Sequence, residues 1–229
     1  MNISEFLLDP TPEVYKELPH ITLDVETTNK DYGHAQHPDN SLLLSVFKMG
    51  DEEEVRWGDE FSLPASLIDK LESDVVLVGH NIKFDLKWLM KAGLQMSNVF
   101  VWDTLIAEKV LLGNNPKYLP LDLGNVAKRY GYPEKGSVVD LSLKAGICCT
   151  ELPQSFVQRR CVYDVRVTDA VYRKQMAKVI EQGKLGVVLT RCLLTPLLVE
   201  IESQGVALDK ERVIEEWTNT VEELAEVEE

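Results

Sequence analysis

The stretch Ile21-Thr22-Leu23-Asp24-Val25-Glu26-Thr27-Thr28 constrains this chain more than any other. Apolar residues at 21, 23 and 25 alternate with polar ones, the period of a strand with one buried face. Successive strand side chains point to opposite faces, so Asp24 and Glu26 project together, away from Ile21, Leu23 and Val25. Two adjacent carboxylates repel, and each is harder to ionise than it would be alone. A divalent cation between them removes that cost, and hard oxygen ligands suit Mg²⁺ or Mn²⁺. A solvated strand face ending in a Thr-Thr turn has the same local pattern, because so short a motif is weak by itself. The pair gains meaning only from acids elsewhere in the chain.

With 229 residues and 45% hydrophobic content, the chain can form one large domain and part of another. It contains no run of 18 apolar residues, so no membrane span is expected. Met1 to Asp9 lacks the basic start and long apolar stretch of a secretory signal. Cys148, Cys149, Cys161 and Cys192 show no Cys-x-x-Cys spacing and suggest no disulfide framework, which fits a reducing, cytoplasmic setting. The net charge of −14 argues against a broad electrostatic grip on nucleic acid. Residues 211–229, with eight acids and one base, carry half of that charge. Substrate phosphates are left to any bound metals and to Lys83, Lys87, Arg159 and Arg160.

Residues 1–20, with Pro10, Pro12 and Pro19, read as a lead-in to the strand at 21–26. A polar loop (27–40) is followed by strands at 41–49 and 54–57 joined at Gly50-Asp51, which predicts an antiparallel meander. A helix is expected over 63–71, with Pro64 near its start. Val75-Val76-Leu77-Val78 reads as a strand buried on both faces, and 82–92 has helical spacing closed by Gly93. A strand at 99–102 leads into a helix over 105–112 capped by Asp103 or Thr104, and a further helix spans 122–130. Residues 132–152 read as irregular, and 154–178 as one long helix. An apolar helix follows over 185–203, with a kink or restart expected at Pro196, and a last helix starts at Asp209. Strands followed by alternating strands and helices predict a mixed α/β sheet with helices packed around it.

Asp85 lies one turn into the helix that follows a buried strand, where ligands gather in such sheets, although an acid there also favours the helix dipole. Asn81 reads equally as an N-cap. Asp164 lies on the long helix, where pairing with Arg160 at i−4 would explain it equally well. Spacing alone does not choose it over Asp103, Asp140 or Asp169.

Taken together, Asp24-x-Glu26, Asn81-x-x-Phe84-Asp85 and Asp164-Val165-x-x-Thr168 resemble the three motifs of the four-carboxylate 3′–5′ exonuclease superfamily. They most resemble the proofreading domain of family A, DNA polymerase I-like enzymes, and the resemblance spans about residues 20–180. It implies a ribonuclease H-like α/β fold: a mixed five-stranded sheet flanked by helices, with C-terminal helices added. It implies an exonuclease domain over 1–184, followed over 185–229 by the N-terminal helical fragment of a polymerase domain.

The implied reaction is two-metal hydrolysis of 3′-terminal nucleotides from single-stranded or frayed DNA ends. Asp24, Glu26, Asp85 and Asp164 would be both catalytic residues and ligands of two Mg²⁺ or Mn²⁺ ions. By the same resemblance, Asp24 lies between the ions, Glu26 and Asp164 serve the water-activating one, and Asp85 serves the looser one. Thr27, His80, Asn81 and Arg160 are the implied substrate contacts. The implied partner is a polymerase domain, in cis or as a separate chain, in a bacterial or phage-infected cytoplasm with no membrane involved.

The chain departs from the family pattern at one point. The family's Tyr, four residues before the third-motif Asp, is Arg160 here, and the alternative His position, five before it, is Arg159. Tyr163 is adjacent to Asp164 and should point about 100° away around the helix. A degenerate, weakly active or non-catalytic scaffold domain, or a related exoribonuclease, is the alternative.

Overall fold

A computed structural model describes residues 18–58, 65–73, 75–113, 115–133 and 138–228. The expected lead-in over 1–17 and the helix start at Pro64 lie outside the described residues. Five strands make one sheet: β1 (His20–Thr27), β2 (Leu42–Met49), β3 (Glu52–Trp57), β4 (Val76–Gly79) and β5 (Phe100–Asp103). Their order across the sheet is β3-β2-β1-β4-β5. β1 pairs antiparallel with β2, and β2 with β3, which is the expected meander. β1–β4 and β4–β5 pair in parallel, so the sheet is mixed. The helices are α1 (Ala65–Leu71), α2 (Lys83–Lys91), α3 (Thr104–Leu112), α4 (Leu123–Arg129), α5 (Val138–Lys144), α6 (Gln154–Glu181), α7 (Leu185–Gln204) and α8 (Lys210–Glu228).

The alternation in β1 sorts its side chains as the sequence predicts. Ile21 and Leu23 enter the main apolar cluster with Phe47, Leu77, Leu86, Leu89 and Trp102. Val25 packs with Trp88, Ala35 and Leu42, so both the core and the loop beyond β1 lean on α2. Trp88 donates from Nε1 to the Gly33 carbonyl at 3.1 Å, fixing that loop against the helix. The opposite face of β1 and β2 is covered by α6, through Leu44 and Val46 against Val157, Cys161 and Val165.

α5 lies within the stretch read as irregular. Seven residues show less than two turns of periodicity, too little to distinguish a helix from a loop. Val139 nonetheless joins the α6 cluster. α7 runs through Pro196 as one helix, so the chain does not begin a new helix there.

The apolar core does not stop at the turn after α6. Val188, Leu189, Cys192 and Val199 of α7 belong to the main cluster. The other side of α7 exposes Leu194, Leu197 and Ile201, and α8 exposes Ile214, Trp217, Val221 and Leu224 at spacings of three and four. Among the described residues no helix is long and apolar enough to cross a membrane.

Candidate active site

β1 and α6 lie against each other in opposite directions. Thr22 Oγ1 lies 3.4 Å from Asp169 Oδ1, the Cys161 thiol lies 3.5 Å from the Asp24 carbonyl, and Arg160 pairs with Glu26. Two residues of strand advance about 6.6–6.8 Å. Four or five residues of helix advance about 6–7.5 Å. The matching steps set the polar face of β1 against a stripe of α6, and they bring Asp164 beside Asp24 closely enough for its charge to act there. Arg160 Nε also lies 3.9 Å from Asp164 Oδ2.

Asp85 arrives from the other side. β4 pairs with β1 only as far as Thr22 in the described register. Beyond that point Asp85 Oδ1 accepts the Val25 N–H at 3.0 Å, as a neighbouring strand would. The turn that delivers it is tight. A Cβ on Gly79 would lie 2.6 Å from Ile82 Cγ1, and Asn81 takes the left-handed conformation at φ 59°. Helix α2 begins directly afterwards and presents Asp85 one turn in.

Three elements thus bring Asp24, Glu26, Asp85 and Asp164 together. Asp24 keeps a partly open side, while Glu26, Asp85 and Asp164 are buried. Burial, followed by the charges of Glu26 and Asp164, pushes the Asp24 carboxyl up to about 8. A hydrogen bond from Cys161 and the Arg160 charge offset this only in part. Burial and then Asp24 hold Asp85 well above the usual carboxylate range, despite the Val25 N–H. Such a site is short of positive charge, and its donor set fits divalent cations with oxygen ligands. Arg160 supplies one positive charge already.

The remaining candidates are positioned as follows. Thr27, at the bulged end of β1, donates from Oγ1 to the Thr28 carbonyl at 2.9 Å. Asn81 is exposed, with its backbone N–H held by Asp103 Oδ1 at 2.9 Å. Both ring nitrogens of His80 are engaged inside the fold, Nδ1 with Thr104 Oγ1 and Nε2 with the Leu121 carbonyl, each at 2.9 Å. Burial lowers its pKa to about 4, so the ring is neutral at ordinary pH. Tyr163 points away as expected, its hydroxyl donating to the Pro133 carbonyl at 3.2 Å.

Of the competing acids, Asp169 is taken by His20 and Arg173, and Asp103 caps α3 by accepting the Leu105 N–H. The side chain of Asp140 lies outside the described residues. Lys83 and Lys87, expected to meet phosphates, both pair with Glu202 of α7, at 2.7 and 2.6 Å. Sequence reasoning missed Cys161 and Cys149, whose Sγ lies 4.0 Å from Glu26 Oε2. No local signal marks either thiol, because each meets the acids across elements distant in sequence.

Residues 4–133 match a family model described as 3′–5′ exonuclease. A DNA-directed DNA polymerase of Pseudomonas phage M6 is 28% identical over 162 residues, covering 66% of this chain and 24% of its own length. DNA polymerase I of Aquifex aeolicus (strain VF5) is 34% identical over 95 residues, covering 41% and 14%. The chain therefore spans less than a quarter of either curated relative.

Among solved structures, Brucella melitensis NrnC with bound Mg²⁺ superposes with a TM-score of 0.64 at 17% identity, over 86% of this chain and 90% of that one. Escherichia coli RNase D, an exoribonuclease involved in structured RNA processing, gives 0.58 at 16%, over 90% and 50%. At these identities the likeness is one of fold, and the fold is ribonuclease H-like. With the family model matched over more than half of its length, the chain belongs to the 3′–5′ exonuclease family of the family A DNA polymerases.

Proposed function

We propose that this chain removes 3′-terminal nucleotides from single-stranded or frayed DNA ends and proofreads for a family A DNA polymerase. The observation that carries the reading is the meeting of Asp24, Glu26, Asp85 and Asp164 from β1, α2 and α6 around one partly open carboxylate. The polymerase relatives from a phage and a bacterium support DNA as substrate and a cytoplasmic setting.

In this reading the four acids would hold two divalent cations, Mg²⁺ or Mn²⁺. Such ions, when bound, activate a water and stabilise the charge on the phosphate and the leaving oxygen. Asp85 keeps its orientation through the Val25 N–H, and Asp164 through its rigid place in the middle of α6. Arg160 stands where the family carries a Tyr. Its guanidinium can contact a phosphate oxygen but cannot accept a proton from water. Water orientation then falls to Glu26, which Arg160 already holds in place. Thr27 and Asn81 contact the terminal nucleotide at the ends of β1 and β4. His80 acts indirectly, by tying the β4–α2 turn to α3 and to Leu121.

The exposed apolar sides of α7 and α8 support the second half of the proposal. Residues 185–229, although one side of α7 joins the main core, lead into a polymerase domain that would cover the exposed sides in cis or as a separate chain. The ribonuclease-type fold neighbour favours RNA as a second substrate class. Matched DNA and RNA oligonucleotides, 3′-labelled and single-stranded, separate the two. Faster Mg²⁺-dependent shortening of DNA is the expected result, and faster shortening of RNA overturns the DNA assignment.

A further inference from the structure

One carboxylate oxygen each from Asp24 and Glu26, together with the Sγ of Cys161, lie within 4.8 Å of one another. The four-carboxylate chemistry proposed above has no use for a thiol there. We propose that Cys161 is a metal ligand and determines the metal selectivity of this site: Asp24, Glu26 and the Cys161 sulfur together take a borderline-soft divalent cation of the zinc class. The proposal rests on reading Asp24 and Glu26 as metal ligands.

Zinc bonds to sulfur at about 2.3 Å and to carboxylate oxygen at about 2.0–2.2 Å, which places tetrahedral ligands about 3.3–3.7 Å apart. The three atoms, within 4.8 Å of one another, need to close by about an ångström on the ion. The backbone beneath them is rigid, because Asp24 and Glu26 lie on the central strand and Cys161 in the middle of a 28-residue helix. Cys161 also lies three residues before Asp164, so sulfur and the third-motif acid share one face of α6.

The thiol is fully buried and packs partly on Val157 and Val165, yet it also lies against the Asp24 carbonyl at 3.5 Å. On binding, the thiol S–H is exchanged for a metal–sulfur bond and its proton leaves to solvent. Mg²⁺ prefers six oxygen ligands, several of them water, and gains little from sulfur. Zinc, cadmium and cobalt gain much more. Such ions therefore bind more tightly than Mg²⁺ and displace it. Cys149 is the internal control: its Sγ lies 4.0 Å from Glu26 Oε2 but does not join the three-atom group.

The test is a titration of the metal-free full chain with Co²⁺, and separately with Cd²⁺, followed through the ultraviolet sulfur-to-metal charge-transfer band. The wild type should show the band saturating with the metal. Cys161→Ser should lose it, and Cys149→Ser should keep it. Asp24→Asn, which retains the thiol, should need at least tenfold more metal to reach the same sulfur band, and the band in the wild type and in Cys149→Ser decides even if Cys161→Ser fails to fold. Metal binding without a sulfur band, a band lost in Cys149→Ser instead, or an unchanged affinity in Asp24→Asn each overturns the proposal. Mg²⁺-dependent shortening of DNA by the wild type is measured in parallel. A sulfur band without hydrolysis sinks the exonuclease reading alone, and hydrolysis without the band sinks the sulfur ligand alone.

Discussion

Asp24 has an ordinary carboxyl pKa of 3.8 when unfolded and one of about 8 in the folded, metal-free chain. Between those values the folded state binds more protons than the unfolded one, so stability falls as pH rises. This contribution is complete below about pH 4 and is lost through about pH 8, and Asp85 shifts in the same direction. Thermal melts of chelator-treated protein should therefore drop in midpoint between about pH 5 and about pH 8.5, with Asp24→Asn higher and flatter. A midpoint that climbs over that range contradicts these electrostatics. Arg160→Tyr places a hydroxyl one helical turn before Asp164 and should raise the hydrolysis rate about tenfold, less than the roughly 10²–10⁴-fold of a general acid or base because the hydroxyl only orients water. An unchanged or slower variant with the same metal affinity means that the guanidinium already orients water or substrate. At this scale Asp24 and Glu26 are legible in the sequence, because strand alternation is a local rule. The choice of Asp164 over Asp169 is not, because the partners that occupy Asp169 lie on β1 and β2 as well as on its own helix. Arg160 shows the same limit: its sequence neighbour is Asp164, but its closer partner is Glu26, across the strand–helix packing.

Among the elements, β1 and α6 set the site and α7 completes the core. The strands and long helices are legible because their apolar periods persist over many residues. α5 is not, because seven residues carry too little pattern. The sequence places a boundary after residue 184, yet α7 buries Leu189 beside Val188 and Cys192 in the main cluster. Leu189→Ala should cost about 2–5 kcal/mol in denaturant unfolding, the usual range for a truncated core leucine. Leu194→Lys, on the exposed side of the same helix, should change stability by less than about 0.5 kcal/mol. A negligible effect of Leu189→Ala would mean that α7 is not part of the folded core in solution.

For the whole molecule, one ribonuclease H-like body ends in a helix with little to hold it. The described side chains of α8 are exposed, so it lacks the packing of an amphipathic face that supplies most helical stability in proteins. Hydrogen exchange should be fast across 210–228 and slow across the middle of α6, with protection of α8 appearing only when a partner covers Ile214, Trp217, Val221 and Leu224. Equal protection of the two helices in the isolated chain contradicts this. In the proposed function, four carboxylates from three elements form a single metal-dependent hydrolytic site. The most direct measurement is the shortening of a 3′-labelled single-stranded DNA by the wild type and by Asp24→Ala, each with Mg²⁺, with Mn²⁺ and with chelator. The wild type should shorten the strand stepwise from the 3′ end with either metal, and rates should fall to background with chelator or for a folded Asp24→Ala protein. Shortening that survives chelation, or that Asp24→Ala retains, would contradict that function.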